Sequence, residues 1–177
     1  MSRQVILHCS DSSFGTVQLI DEWHAARGFK RRDPDRGLTA IGYHYVIENG
    51  WTTSRHERDY DPMRDGQIVT ARYEHEIGAH AQGSNDAVGI CLIGKATFTR
   101  RQLTSMYALV IGVCLRNGST FNDVLGHCET PVEVAKGHGR KSCPNLNMDR
   151  VREKLRMMLV GVGVQLINNG EQKGAGT

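Results

Sequence analysis

The sequence predicts an α/β fold in which helices flank one central, mixed β-sheet. Apolar strand-like runs alternate with helix-like segments along the 177 residues, and this alternation is typical of a sheet covered by helices. The length suits one domain, and no segment is repeated. We therefore assign residues 1–167 to a single domain. Residues 168–177, which are rich in Gly and polar residues, are expected to form a flexible tail.

The first half of the chain is predicted to contain one helix between two strands. Residues 4–9 form a short, apolar run that fits a buried strand. Thr16 is a suitable N-cap, and Gly28 a suitable stop, for a helix over residues 17–27. A charged loop over residues 29–40 and a second strand over residues 43–47 follow.

The second half is predicted to begin with an irregular surface excursion over residues 48–66, because charges and turn pairs dominate there. The clearest helix covers residues 100–116. Thr99 and Gln102 form a capping box at its start, apolar residues recur every three or four positions, and Gly118 ends it. The remaining predicted elements are strands over 67–71 and 88–93 and a last helix over 149–160.

Composition restricts the function classes. The formal net charge is only +3, without the dense Lys/Arg clusters of a nucleic-acid binder, and it suits an anionic polymer such as a bacterial cell wall equally well. The five cysteines are an odd number without framework-like spacing, which predicts reduced thiols in a cytosolic product. The N-terminus lacks a signal-peptide core, and the longest apolar stretch, residues 157–167, is too short to span a bilayer.

His8, His127 and Cys143 are candidate metal ligands. Two imidazoles and one thiolate would leave one open position on a tetrahedral zinc ion, as in catalytic zinc sites. Each residue alone would more often be a core histidine or a buried thiol, but their sequence settings together favour one Zn²⁺ per chain. Cys9 and Cys128 are interpreted as packing residues, because adjacent residues on a strand point to opposite faces.

Seven short segments carry a resemblance to a known family. They are VILHCSDS (5–12), IDEWHAARGF (20–29), IGYHYVI (41–47), EIGAHAQGSNDAVGICLIG (76–94), LTSMYALV (103–110), VLGHCE (124–129) and GRKSCPNLNMD (139–149). Their order resembles that of the type-2 N-acetylmuramoyl-L-alanine amidases, which include phage lysis amidases and peptidoglycan recognition proteins. The likeness spans about residues 4–160 and is nearest to the single-domain phage endolysins.

The resemblance implies that His8, His127 and Cys143 bind zinc and that Tyr43 and Lys141 are catalytic. The implied reaction is hydrolysis of the amide bond between the lactyl group of N-acetylmuramic acid and L-alanine. Zinc lowers the pKa of a coordinated water to about 7, and Tyr43 and Lys141 would hold the oxyanion. An alternative for Tyr43 is to orient the attacking water. Non-catalytic recognition proteins typically lack the cysteine, so Cys143 favours the lytic branch.

Four further residues in these segments have competing interpretations. His80 and Asn85 are expected to contact substrate, because the family often lines its groove with this stretch, although a structural role for His80 is the alternative. Trp23 and His24 are interpreted as the packing face of their helix, with a place at the border of the groove as the alternative. The zinc site is therefore expected at the edge of a surface groove.

The expected protein is a bacteriolytic endolysin that binds peptidoglycan as a monomer and neither inserts into membranes nor binds nucleic acid. It would be made in the cytoplasm of a host bacterium and reach the cell wall through a membrane pore. The alternatives are a non-catalytic peptidoglycan recognition module and a regulatory partner of another phage or host enzyme. Retention of Tyr43, Lys141 and Cys143 favours the enzyme.

Overall fold

A five-stranded sheet with helices on both faces forms the core of the computed structural model, which describes residues 3–137 and 143–161. The strands, in the spatial order β3-β2-β4-β1-β5, are β1 (Val5–Cys9), β2 (Tyr45–Trp51), β3 (Tyr60–Thr70), β4 (Val88–Leu92) and β5 (Val124–Gly126). Neighbouring strands run parallel except for β3, which is antiparallel to β2. The predicted mixed sheet is therefore confirmed.

Within residues 3–137 and 143–161, four α-helices accompany the sheet: α1 (Val17–Ala26), α2 (Arg100–Asn117), α3 (Pro131–Ala135) and α4 (Met148–Gly161). Apolar side chains of α2 and α4 pack with one set of strand residues in the larger core cluster. Those of α1 and the segment before β2 form a second cluster with other strand residues. Each strand of a covered sheet buries both of its faces, and every residue of β1 and β4 is buried accordingly.

The predicted helix ends are confirmed. Thr16 accepts a hydrogen bond from the Leu19 N–H at 3.2 Å, and Thr99 and Gln102 form the capping box of α2. Gly118 ends α2 with φ of 62°, a left-handed conformation that glycine adopts without a Cβ penalty. These local signals fix where α1 and α2 begin and where α2 ends.

The prediction for residues 48–66 was wrong. β2 continues to Trp51, which lies opposite Tyr60 at the start of β3, so that most of the supposed excursion is a β-hairpin. β3 is an edge strand with much of its length exposed, and its polar composition hides the strand pattern. Inside β2, Glu48 is fully buried and accepts a hydrogen bond from Arg64 at 2.8 Å, which removes the penalty of an unpaired buried charge.

Two smaller differences concern strand ends. The second strand begins at Tyr45 rather than at Tyr43, and the three-residue strand β5 was not predicted. The expected single domain over residues 1–167 and tail over 168–177 stay predictions, since residues 162–177 lie outside the described residues. Among the described helices, none combines the length and apolar composition needed to cross a bilayer.

Candidate metal centre

His8 and His127 come together because β1, which contains His8, pairs in register with β5, which directly precedes His127. β1 and β5 are parallel, and Leu7 lies opposite Gly126. His8 and His127 each follow their member of this pair by one residue, so both side chains reach the same edge of the sheet. Their ring centroids are 4.6 Å apart. Strand pairing thus joins two candidate ligands that are distant in sequence.

Cys143 reaches this edge from the segment that precedes α4. The Cys128 N–H donates to the carbonyl oxygen of Cys143 at 3.0 Å, and the Cys9 N–H donates to Cys143 Sγ at 3.4 Å. Gly126 permits the close approach, since a Cβ there would lie 2.9 Å from Pro144 Cδ. Backbone contacts therefore hold the thiol against the ends of β1 and β5.

The three predicted ligands form one cluster. The candidate ligand atoms of His8, His127 and Cys143 all lie within 4.8 Å of one another, so a single ion can contact all three. His8 is buried, whereas His127 and Cys143 are partly exposed, which leaves the cluster accessible from solvent. Two imidazole nitrogens and one sulfur fit zinc with one position left for another ligand.

Glu129 links α4 with the turn in which His127 lies. It accepts hydrogen bonds from the Gly126 N–H and from both terminal nitrogens of Arg152, each at 2.9 Å. Arg152 also donates to the Val124 carbonyl oxygen at 3.0 Å. Burial alone would raise the pKa of Glu129, but Arg152 and the Gly126 N–H lower it overall. The carboxylate is therefore a charged anchor rather than a proton donor at neutral pH.

The protonation states of the cluster suit a cation. Burial and the neighbouring His80 and His127 rings hold the pKa of His8 well below its ordinary value, so the imidazole of His8 is neutral. Without an ion, hydrogen bonding to the Cys9 side chain and burial raise the pKa of the Cys143 thiol. A bound cation favours the Cys143 thiolate, because nearby positive charge lowers a thiol pKa.

An open cavity of about 840 Å³ contains the cluster. Charged side chains of both signs border it, namely Arg27, Lys136, Asp11 and Glu133. Lys136 Nζ donates to Glu133 Oε1 at 2.9 Å. The cavity has the volume of a typical ligand site, and its open shape agrees with a candidate metal site at the edge of a groove.

Tyr43 lies just before β2 and faces the cluster. Its ring centroid is 5.1 Å from that of His8 and 5.2 Å from that of His24, and it lines the cavity. Burial raises the pKa of Tyr43 well above its ordinary value. The phenol therefore stays protonated at neutral pH and can donate a hydrogen bond.

His24 lines the cavity and is more than a packing residue. The Gly42 N–H donates to His24 Nδ1 at 2.9 Å, so the neutral ring carries its proton on Nε2. Burial lowers the pKa of His24 to about 4. A sequence signal for an additional role was available. His24 shares the buried face of α1 with Val17 and Ile20, and a polar side chain on a buried face needs a hydrogen-bond partner.

Cys9 is the second residue that sequence reasoning placed in the packing alone. It borders the cavity, and its Sγ accepts a hydrogen bond from Asn145 Nδ2 at 3.6 Å. Cys9 is the last residue of β1. At the end of a strand, the alternation of side chains between the two faces of the sheet no longer predicts which residues a side chain contacts. Cys128 is half-exposed and does not belong to the His8–His127–Cys143 cluster among the described residues.

His80 and Asn85 both line the cavity. Asn85 Oδ1 accepts hydrogen bonds from the N–H groups of His80 and Ala81 at 2.8 and 2.9 Å, and burial lowers the pKa of His80 to about 3. Substrate contact by these two residues stays a prediction. Lys141 lies outside the described residues, so its catalytic role also stays a prediction.

Comparisons with known proteins agree with this fold and site. No protein-family model matches the chain. It is 26% identical to the endolysin of Enterobacteria phage T3 over 166 residues, which cover 86% of this chain and 87% of the relative. It is also 26% identical to the endolysin of Escherichia phage T7 over 163 residues, with 85% of each chain covered.

Solved structures give the same result. The N-acetylmuramoyl-L-alanine amidase LysC from Clostridium intestinale is 26% identical, with a TM-score of 0.62 over 88% of this chain and 85% of that one. A variant of Drosophila PGRP-LB, solved in complex with tracheal cytotoxin, shares the fold at 21% identity, with a TM-score of 0.52 over 81% and 76% of the two chains.

The fold and the three-ligand cluster together define an α/β domain of the amidase type with a candidate metal site. The similarity to phage endolysins and to a solved N-acetylmuramoyl-L-alanine amidase, which covers most of the chain, supports an N-acetylmuramoyl-L-alanine amidase family of the endolysin and peptidoglycan-recognition type. The predicted family is thus confirmed.

Proposed function

We propose that this protein is a zinc-dependent peptidoglycan amidase of the endolysin type. It hydrolyses the amide bond between the lactyl group of N-acetylmuramic acid and the L-alanine of the stem peptide, and this cleavage leads to bacterial lysis. The observation that carries the proposal is the convergence of His8, His127 and Cys143 in an open cavity. Its support is the 26% identity to the T7 endolysin and to the amidase LysC.

Zinc is the proposed cofactor, with one ion per chain. The cluster offers two neutral imidazoles and a thiol that becomes a thiolate on binding, and this donor set is typical of catalytic zinc. When bound, the ion supplies Lewis-acid chemistry, which activates water and polarises the amide carbonyl. The protein's part is to hold three ligands in place and leave the side towards the cavity open.

Tyr43 is proposed to donate a hydrogen bond from its phenol to the carbonyl oxygen as negative charge develops there. Such donors act best when they are fixed before the reaction, and loss of one typically costs about 10²–10³ in rate. His24 Nε2–H is a second fixed donor that faces the same cavity. Lys141 is proposed as a further oxyanion partner, and the leaving amine takes its proton from Tyr43, Lys141 or water.

Peptidoglycan is the proposed substrate, and the open cavity of about 840 Å³ has room for part of such a polymer. His80 and Asn85 are proposed to border the bound muropeptide. We further propose that the protein acts as a monomer without binding nucleic acid or inserting into membranes. It would be made in the host cytoplasm and reach the cell wall through a membrane pore.

A second candidate is a non-catalytic peptidoglycan recognition module. The shared fold with PGRP-LB in complex with tracheal cytotoxin motivates it. Complete retention of the His8–His127–Cys143 cluster favours the enzyme, since binding alone requires no metal. A regulatory role beside another enzyme is a third hypothesis, for which the described residues offer no separate support.

Substitution of one ligand, beside a matched control, tests the proposal. Cys143→Ala is expected to lose bound zinc and peptidoglycan cleavage. Cys128→Ala, a neighbouring cysteine outside the cluster, should retain both. Tyr43→Phe should keep zinc but lose about 10²–10³ in rate. Zinc content is measured by elemental mass spectrometry, and cleavage by newly released amino groups. Full turnover by zinc-free Cys143→Ala protein would contradict the site assignment.

A further inference from the structure

Both ring nitrogens of His80 have partners inside the protein. His80 Nδ1 lies 3.1 Å from Nε2 of the candidate ligand His8, and His80 Nε2 lies 3.1 Å from the Ala87 carbonyl oxygen. The chain of contacts therefore runs from the metal cluster through two imidazoles to a backbone carbonyl. Because the Nε2 of His8 is engaged with His80, only Nδ1 of His8 is left to contact an ion.

The acceptor at the end of this chain fixes every proton along it. A carbonyl oxygen only accepts, so His80 Nε2 donates to Ala87. A metal-bound neutral imidazole carries its proton on the nitrogen that does not bind the ion, so a His8 that binds through Nδ1 donates from Nε2. His80 Nδ1 accepts this bond. Both imidazoles are then neutral, each with one proton, and no donor faces another donor.

The surroundings of His80 hold its ring in this place. A Cβ on Gly78 or on Gly89 would lie 2.5 Å from His80 Cδ2, so two glycines make the space that the imidazole occupies. Asn85 Oδ1 accepts from the His80 backbone N–H at 2.8 Å. The His44 ring packs edge-on at a centroid distance of 5.7 Å. The two glycines and the His44 ring therefore border the imidazole, and Asn85 holds the backbone that carries it.

We propose that His80 is a positioning residue for the metal centre, which holds His8 in the tautomer and orientation that present Nδ1 to the ion. This inference rests on the proposed zinc site, although not on any particular substrate. It assigns the polar atoms of His80 to His8 and Ala87, so that contact with a muropeptide would not use a ring nitrogen of His80. Metal-binding histidines commonly need such an outer hydrogen-bond partner.

Three substitutions of His80 separate positioning from packing. The Oδ1 of Asn takes roughly the place of Nδ1, so His80→Asn keeps an acceptor for His8 and loses the donor to Ala87. Gln is closer to His in size, yet its amide reaches towards Ala87 and leaves no acceptor beside His8. His80→Ala removes both groups. Zn²⁺ affinity is measured by competition with a chromophoric chelator, without peptidoglycan.

We expect Zn²⁺ affinity to fall about 10–100-fold in His80→Ala and His80→Gln, the range typical for loss of an outer partner. In His80→Asn it should stay near that of the wild type. If packing alone mattered, Gln would rescue better than Asn. Wild-type affinity in all three variants, or rescue by Gln rather than Asn, would overturn the proposal. Unfolding of the metal-free variants checks that each is folded.

The wild-type protein gives a readout that needs no variant. In the ¹¹³Cd-loaded protein with ¹⁵N-labelled histidine, His8 should show metal coupling at Nδ1 and an attached proton at Nε2. Coupling at Nε2 of His8 would overturn the proposal. Because neither experiment uses substrate, failure of the proposed amidase activity and failure of this inference are distinguishable: a protein that shows the Nδ1 coupling but cleaves no peptidoglycan refutes only the former.

Discussion

Asp21 is expected to anchor the segment that carries Tyr43, and its replacement should show this. Asp21 is a buried carboxylate on α1. Its Oδ1 accepts from the N–H groups of Thr39, Ala40 and Ile41 at 3.0, 2.8 and 2.6 Å. Burial alone would raise the pKa of Asp21, but these hydrogen bonds lower it overall. The carboxylate thus stabilises the fold above its ordinary pKa, and this contribution is lost as the pH falls.

The magnitude follows from what each substitution leaves unpaired. Asp21→Asn keeps an oxygen for Ala40 and Ile41 but loses the charge and presents a donor towards Thr39, which should cost about 1–2 kcal/mol. Asp21→Ala leaves all three N–H groups without their acceptor, and we expect a loss of about 3–5 kcal/mol. A typical domain is stable by only about 5–15 kcal/mol, so the Ala variant should be marginal.

Urea unfolding followed by circular dichroism measures these losses. Glu22→Ala is the matched control, because Glu22 is the next residue on α1 and is exposed, so its replacement should change the free energy of unfolding by less than about 0.5 kcal/mol. Asp21 variants as stable as the Glu22 control would refute the anchoring role. Zinc affinity of folded Asp21→Asn should stay unchanged, because the candidate ligands lie in β1, in the turn after β5 and in the segment before α4.

Three further predictions follow from the same contacts. A hydrogen bond and burial raise the pKa of Cys143, so zinc binding should release a proton from its thiol. The zinc affinity should therefore rise about tenfold per pH unit near neutrality, as measured by titration calorimetry in several buffers. A zinc affinity that does not depend on pH would contradict this prediction. Gln102 donates to the carbonyl oxygens of Ile47 in β2 and of Ile93 just after β4, at 3.0 and 2.9 Å. Gln102→Leu should therefore cost about 2–4 kcal/mol in urea unfolding, and a loss below about 0.5 kcal/mol would contradict this. A Cβ on Gly42 would overlap the Ala79 carbonyl, so Gly42→Ala should reduce peptidoglycan cleavage more than zinc binding, and equal losses would contradict it.

Local sequence signals predicted much of the fold. The cap at Thr16, the capping box at Thr99 and the left-handed Gly118 depend on residues a few positions apart, and the structure has all three. β3 was harder to predict, because an exposed edge strand needs no apolar face. β5 is only three residues long, too short for any periodicity to appear.

The candidate site also has a part that the sequence predicted and a part that it did not. The resemblance named His8, His127 and Cys143, and the structure brings them together. The register that joins them is set by strand pairing between distant segments, which no local pattern encodes. The place of His24 on the buried face of α1 signalled an internal partner, but the sequence did not show that this partner is the Gly42 N–H or that the ring borders the cavity.

Product analysis of digested peptidoglycan tests the central claim most directly. Purified peptidoglycan is incubated with the protein, with a chelator, and with the chelator followed by excess Zn²⁺, and the soluble products are identified by mass spectrometry. Amidase activity predicts free stem peptides that begin at L-alanine, with intact glycan strands, only when zinc is present. A folded, zinc-loaded protein that binds peptidoglycan without releasing such peptides would contradict the enzyme and support the recognition module.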